Sequence, residues 1–334
     1  MRIIITRIIL MFPYRFYLYQ SSERLKVMRA VAATLKWGVE RRLEFIEFRL
    51  LWEGGVNRSD IIETFDVSVP QASKDLTLYQ GRAPQNAIYD KSAKRYVAGP
   101  QFSPIFLKPE PDGYLSRLRS LAEGVADPSD SWIANPPETD IALTPRREVD
   151  TDVLKAVLQA VRENRSLEIY YQSMGSRRTD PMWRRTTPHA FGYDGFRWHV
   201  RGYCHIDEKY KDFLLPRILG VRQMDVPGPG GDQDALWKKT FDIEIGPHPG
   251  LTKSQRAVVA KDYGMTNERA VLSVRYAMLF YVLKRLGLLG DVSKQNARAQ
   301  HIVTLNPHET ERALRRADFE FGEVEQTPKK VGEA

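Results

Sequence analysis

The run NRSDIIETFDVSVPQASKDLTLY, residues 57–79, leaves a chain little choice of local structure. Its apolar residues recur at helical spacing on both sides of Asp66-Val67-Ser68, which predicts two short helices joined by a tight turn. Asn57 or Ser59 can cap the first, whose apolar stripe is Ile61, Ile62 and Phe65. Ser68 is placed to cap the second, with Pro70 in the first turn, where a missing N–H costs nothing. Val69, Ala72, Leu76 and Tyr79 are then expected to face a core. Gln71, Ser73, Lys74 and Thr77 are left looking outward, a mixture suited to base edges and phosphates. An ordinary solvated helical hairpin has the same pattern.

The next stretch of the chain favours DNA. After a turn at 81–84, AIYDKSAKRYVAG reads as a β-hairpin with Lys91, Lys94 and Arg95 at or near its tip. A helix-turn-helix followed by a basic hairpin is the layout of a winged helix, in which the second helix enters the major groove and the wing touches the backbone or the adjacent minor groove. Solubility alone also explains Lys and Arg at a hairpin tip. The candidate DNA-binding set is Arg58, Ser68, Gln71, Ser73, Lys74, Thr77, Lys91, Ser92, Lys94 and Arg95.

With 334 residues the chain has room for two or three domains, and its net charge of +8 is compatible with a polyanionic partner. Its one cysteine, Cys204, excludes an internal disulfide framework, a CxxC pair and a Cys-rich zinc site, which fits a reducing cytoplasm. Residues 1–27 are apolar and aromatic but broken by Arg7, Pro13 and Arg15, too short a run for a membrane span. They read as an extension outside the fold, with Met28 the natural beginning.

Residues 30–52 are helical in pattern, with Val39, Leu43, Ile46 and Leu50 on one stripe and Arg41, Arg42 and Arg49 elsewhere on the surface. Past the wing, a short helix is expected near 114–121, then a proline-rich connection over 127–150. A helix follows from Thr151, capped by Asp150 or Thr151, with Val153, Leu154, Val157, Leu158 and Val161 buried. LEIYYQS, WRRTTPHAFGY, FRWHVRGYC and DFLLPRILGV come next as strands of a small, bent antiparallel sheet or barrel. The last part alternates strands (FDIEIGP, ERAVLSVR, AQHIVTLNP) with helices in 248–265 and 275–289, a small α+β layer. Tyr276, Leu279, Phe280, Leu283 and Leu286 give its apolar helix a surface suited to a dimer interface or to an ordinary core.

In the strand 196–204, alternation puts Phe196, Trp198, Val200 and Gly202 on one face and Arg197, His199, Arg201 and Tyr203 on the other. Cations in a row repel unless solvated or neutralised, and a phosphate or nucleotide would satisfy them by bidentate hydrogen bonds. Tyr171 and Ser173 share a face of an earlier strand and offer hydroxyls, while His189 and Arg217 sit in neighbouring strands. The wet face of a half-buried sheet would look alike.

The run 167–221 resembles a WYL domain, with Trp198-His199-Val200 standing where that family has Trp-Tyr-Leu. From about Met28 the chain is similar to the BrxR/CapW group of WYL transcriptional regulators, on RSDIIETFDVSVPQASKDLTLY, NAIYDKSAKRY, TPHAFGYDGFRWHVRGYC, KDFLLPRI and HPGLTKSQRAVVAKDYGM in that order. The resemblance implies a multidomain α+β fold: an N-terminal winged helix-turn-helix, a central Sm/SH3-like WYL β-barrel and a C-terminal, WCX-like dimerisation domain. The expected divisions are an extension at 1–27, the winged helix at 28–108, a linker at 109–150, the WYL domain at 151–226, the dimerisation domain at 227–322 and a disordered tail at 323–334. It also implies a homodimer that represses antiphage-defence operons from an inverted-repeat operator and senses a nucleic-acid or nucleotide effector. Its pocket positions fall on Tyr171, Ser173, His189, Arg197, His199, Arg201 and Arg217.

Catalysis is not expected. The six histidines show no HExxH spacing, there is no Walker A loop or GxGxxG, and Cys204 and His205 point to opposite faces of a strand. No cofactor, metal or membrane partner is expected. An accessory protein that binds nucleic acid and regulates an effector enzyme is the alternative to a repressor.

Overall fold

This computed structural model describes residues 35–318, apart from 143, 144, 146 and 175–177; the expected extension at 1–27, the start at Met28 and the tail at 323–334 lie outside the described residues. The chain divides into two compact units between residues 144 and 145.

The first unit is built on α1 (Trp37–Trp52), α2 (Arg58–Phe65) and α3 (Val69–Arg82). Asn57 caps α2 in a full capping box with Asp60, and the turn after α2 places Asp66 in the left-handed region at φ 48°. Ser68 Oγ accepts from Gln71 N at 3.4 Å and starts α3. Leu43, Phe45, Ile46 and Leu50 of α1 join Ile61, Ala72, Leu76 and Tyr79 in one core. Val69 does not: it sits in the first helical turn and is 52 % exposed. Nor do all the arginines of α1 stay on the surface. Arg49 is buried, and Arg42 is drawn inward by Asp75 of α3.

The wing is β1 (Ala87–Asp90) paired antiparallel with β2 (Arg95–Ala98). Its base is clamped to the end of α1, where Val56 pairs with Tyr96. The approach is close enough that a Cβ on Gly55, at φ +147°, would lie 2.4 Å from Tyr96 O, so only glycine fits. Past the wing, α4 (Pro111–Ala122) and the short α5 (Pro128–Ser131) bring Trp132 and Ile133 into the same core. The Trp132 ring meets Phe45 edge-on at 5.6 Å. Much of the expected linker at 109–150 is therefore part of this unit, because two large apolar side chains there find a core within reach.

The second unit opens with α6 (Thr151–Arg162), capped by Asp150, whose Oδ1 accepts from Asp152 N and Val153 N. It packs on an antiparallel sheet of β3 (Ser166–Tyr171), β4 (Met182–Tyr193), β5 (Trp198–Cys204), β6 (Lys209–Leu214) and β7 (Ile218–Asp225). The strand order is β6-β5-β4-β3-β7, with the two outer strands unpaired to each other, so the barrel is open. Pro188, which has no N–H to give the ladder, marks a register shift between β4 and β5. Pro216 likewise breaks the single strand expected over 212–221 into β6, a 3₁₀ turn at Leu215–Arg217, and β7.

The remaining core belongs to a three-stranded sheet in the order β10-β8-β9, from β8 (Thr240–Pro247), β9 (Ala270–Arg275) and β10 (Ile302–Thr304). It is joined by α7 (Ala235–Lys238), α8 (Lys253–Asp262), α9 (Tyr276–Arg285) and α10 (Pro307–Asp318). Neither α7 nor α10 is among the helices expected from the sequence. Leu279 and Leu283 of α9 are fully buried in this unit, so much of the apolar surface set aside for a dimer contact is spent on an ordinary core. No helix among the described residues is long and apolar enough to cross a membrane.

Candidate nucleic-acid interface and effector site

On the first unit, α3 buries Ala72, Asp75, Leu76 and Tyr79 and leaves Ser68, Lys74 and Thr77 exposed, with Gln71 and Ser73 half-buried. The hydroxyls of Ser73 and Thr77 are turned back onto the helix, donating to Val69 O at 2.9 Å and Ser73 O at 3.0 Å, so each keeps only its acceptor lone pairs for a ligand. Gln71 Nε2 donates to Asp75 Oδ1 at 2.9 Å. Arg58, at the start of α2, is exposed, as are Lys91, Ser92 and Lys94 in the turn of the wing. Asp90 Oδ1 organises that turn by accepting from Ser92 N and Ala93 N. Among the described residues, no carboxylate pairs with Arg58, Lys74, Lys91 or Lys94.

Arg95 departs from this group. Its guanidinium is half-buried and donates to the carbonyl oxygens of Glu53 and Gly55. It fastens the wing to α1 rather than reaching out from the tip.

Glu47 was not singled out in the sequence, yet it holds the unit together. It is fully buried and accepts from three consecutive backbone amides, Ile105, Phe106 and Leu107, at 2.7–3.0 Å. The Tyr79 hydroxyl of α3 donates to it at 3.2 Å. Burial pushes its carboxyl up against the pull of those donors. A lone Glu in an otherwise apolar helix face was the available signal.

On the second unit, the cationic face of β5 is closed rather than wet. His199 is 3 % and Arg201 1 % exposed. Arg201 grips Asp234 with Nε at 2.7 Å and Nη2 at 3.1 Å, and gives Nη1 to Asp212 at 3.2 Å. Asp234 also takes the His189 ring nitrogen at 3.0 Å and caps α7 at Trp237 N. His199 meets Asp194 at 3.1 Å, beside Arg197 at 2.8 Å. From α9, the Tyr281 ring lies 4.7 Å from the His199 ring, and its hydroxyl donates to Asp212.

Burial alone would raise Asp194 and Asp234. Donors outweigh it in both: Phe196 N, His199 and Arg197 hold Asp194 at about 2, and His189 with Arg201 holds Asp234 at about 2. Asp212 goes the other way, pushed up by burial in spite of Arg201.

The seven expected effector residues are thus not one pocket. His189, Arg197, His199 and Arg201 share the face covered by Asp194, Asp234 and α9. Tyr171 lies on the opposite face, in the sheet's own core, where its ring meets Phe213 edge-on and its hydroxyl accepts from Leu214 N. Ser173 and Arg217 are half-buried, the latter in the 3₁₀ turn instead of a strand. Also unforeseen is Arg184, buried in β4, with its guanidinium over the Tyr171 ring and its Nε and Nη2 without partners. The turn at Asp194-Gly195 was legible, but the acids that neutralise the face come from three separate segments.

Residues 38–120 match the BrxR transcriptional regulator winged helix-turn-helix domain, 152–223 the WYL domain, and 240–310 the BrxR transcriptional regulator C-terminal dimerization domain. The chain is 38 % identical over 289 residues to the DNA-binding transcriptional repressor CapW of Stenotrophomonas maltophilia, covering 85 % of this chain and 95 % of that one. It is 37 % identical to the protein of the same name from Escherichia coli strain KTE188, over 82 % of this chain and 91 % of that one. The Pseudomonas aeruginosa protein of that name is 36 % identical at the same coverage.

Proposed function

Because this chain belongs to the BrxR/CapW family of WYL transcriptional regulators, we propose that it is a homodimeric repressor that binds an inverted-repeat DNA operator through its winged helices. The observation that carries this is the outward face of the first unit: Lys74 on α3, Arg58 on α2, and Lys91 and Lys94 on the wing, exposed and without carboxylate partners among the described residues. In this reading α3 lies in the major groove and the wing meets the phosphate backbone. Two-fold symmetry then sets half-site centres about 34 Å apart, or a multiple of that.

The effector reading accompanies it. A nucleic-acid or nucleotide-like anion acting at the β5 face competes with Asp194, Asp212 and Asp234 for Arg197, His199 and Arg201. Such a ligand changes DNA binding only by its different affinity for the two states of the dimer. A bacterial phage-defence operon is the expected target, and the bacterial cytoplasm the expected location.

The test is a gel shift of the purified protein with the DNA upstream of its own gene, over a salt series. Selective binding with a steep salt slope is the expected result. Binding no tighter than to random DNA, with or without added oligonucleotides and nucleotides, overturns the reading.

A further inference from the structure

Gln71 is the third residue of α3, at the end that the operator-binding reading puts in the groove, and its side chain does not hang freely. Nε2 donates to Asp75 Oδ1 at 2.9 Å, one helical turn on. Asp75 is 1 % exposed and is itself gripped from α1, where Arg42 gives Nε to Oδ2 at 2.6 Å and Nη2 to Oδ1 at 3.3 Å. A paired carboxylate can only accept hydrogen bonds, so it decides which end of the Gln71 amide turns towards it. The flipped amide would set Oε1 against Oδ1, oxygen to oxygen. The hydrogen-bonding partner therefore dictates the orientation of the amide.

With one N–H spent on Asp75, the amide keeps Oε1 and its second N–H to show to a ligand. An acceptor beside a donor is the complement of adenine in the major groove, where N6 donates and N7 accepts. Guanine offers two acceptors on that edge and leaves Oε1 facing O6 or N7. We propose, on the operator-binding reading above, that Asp75, fixed by Arg42, is a specificity-determining residue: it locks the Gln71 amide in the register that selects adenine at one position of each half-site. Asp75 touches no base. It acts through Gln71 and is a positioning residue.

The arrangement also explains why a carboxylate is tolerated in the DNA-facing helix of a basic domain. Asp75 is screened from phosphates by its burial and its pairing with Arg42, so its charge is committed inward.

The experiment is selection of bound sequences from a randomised DNA library by the full-length wild type, Gln71→Ala and Asp75→Asn, with the salt slope of each measured on the selected operator. Asparagine fills the same space but offers both an acceptor and a donor, so the Gln71 amide can flip. The wild type should prefer adenine at one half-site position by about tenfold, the discrimination typical of one bidentate contact. In Gln71→Ala and in Asp75→Asn that preference should fall to about twofold or less, with the salt slope and the preferences at other positions unchanged.

Preference lost in Gln71→Ala but kept in Asp75→Asn overturns the positioning role. A wild-type motif with no adenine that depends on Gln71 overturns the inference and leaves the operator-binding reading intact. Only a wild type that selects no motif at all speaks against that reading as well. A second measurement does not depend on the folding of Asp75→Asn. Replacing the selected adenine by 7-deazaadenine removes the N7 acceptor, which should weaken the wild type several-fold and Gln71→Ala not at all. An undiminished wild-type affinity overturns the proposal.

Discussion

The outer face of α3 with its wing, and the β5 face of the WYL sheet, are both rows of cations in the sequence, and the structure treats them in opposite ways. On the winged helix, Lys74, Lys91 and Lys94 are exposed and no described carboxylate pairs with them. On β5, Arg201 is buried to 1 % and shared between two aspartates, with His199 on a third. A cation left without an internal partner is available to an external anion. A cation matched inside the fold holds the fold together, and anything that binds it must first displace its partners. Similar residues are thus left open to an external anion in one region and committed to cohesion in the other.

The sharpest way to break this contrast is at Arg201. Arg201→Met leaves Asp212 and Asp234 buried without their cation, and a loss of about 3–5 kcal/mol is expected in urea denaturation of the second unit. Adding Asp212→Asn and Asp234→Asn should recover much of it, because replacing a buried charge network as a whole is often neutral. A solvated face would show neither the loss nor the recovery.

In the first unit the corresponding internal charge is Glu47. Glu47→Gln replaces one of two accepting oxygens with a donor that faces backbone N–H groups, at a cost of about 1–3 kcal/mol in thermal unfolding. Loss of DNA binding at temperatures where the variant is folded would show that the segment at 105–107 also positions α3, through Tyr79.

Acid separates Asp194 and Asp234 from Glu47 by sign, with Asp212, raised by burial, on the side of Glu47. Asp194 and Asp234 are held at about 2, below an unfolded value of about 3.9, so their contribution is present above pH 4 and drains away as pH falls towards 2. Glu47 is raised by burial, so its ionisation costs stability as pH rises past its unfolded value of about 4.3. A plot of urea midpoint against pH should fall on the acid side for the second unit, and Asp194→Asn should flatten that fall.

The smallest structural effect belongs to the exposed cations. Lys91→Ala should change stability by less than about 0.5 kcal/mol while lowering the salt slope of DNA binding by about one, with all sequences weakened alike. Arg95→Ala should instead loosen the wing, visible as faster amide exchange at 95–98, because its guanidinium holds Glu53 and Gly55.

How much of this could be read from the sequence depends on where each partner lies in the chain. The helix-turn-helix was legible because its caps and stripe are local: Asn57 reaches Asp60, and Ser68 reaches Gln71. The strands of the WYL sheet were legible by alternation, except where Pro216 divides one. The fate of the β5 cations was not, since Asp212 and Asp234 are 11 and 33 residues from Arg201 and only the fold brings them to it. The pairing of Arg42 with Asp75, 33 residues apart, is invisible in the sequence for the same reason.

The shared grip of Arg201 on Asp212 and Asp234 also bears on descent. A lineage that exchanges one of the three passes through a destabilised intermediate, so these positions should be inherited as a block and change together. Lys91 and Lys94 carry no such tie, and substitutions on the wing can accumulate one at a time. The slow part of such a chain is then its interior wiring, and the fast part is its exposed surface.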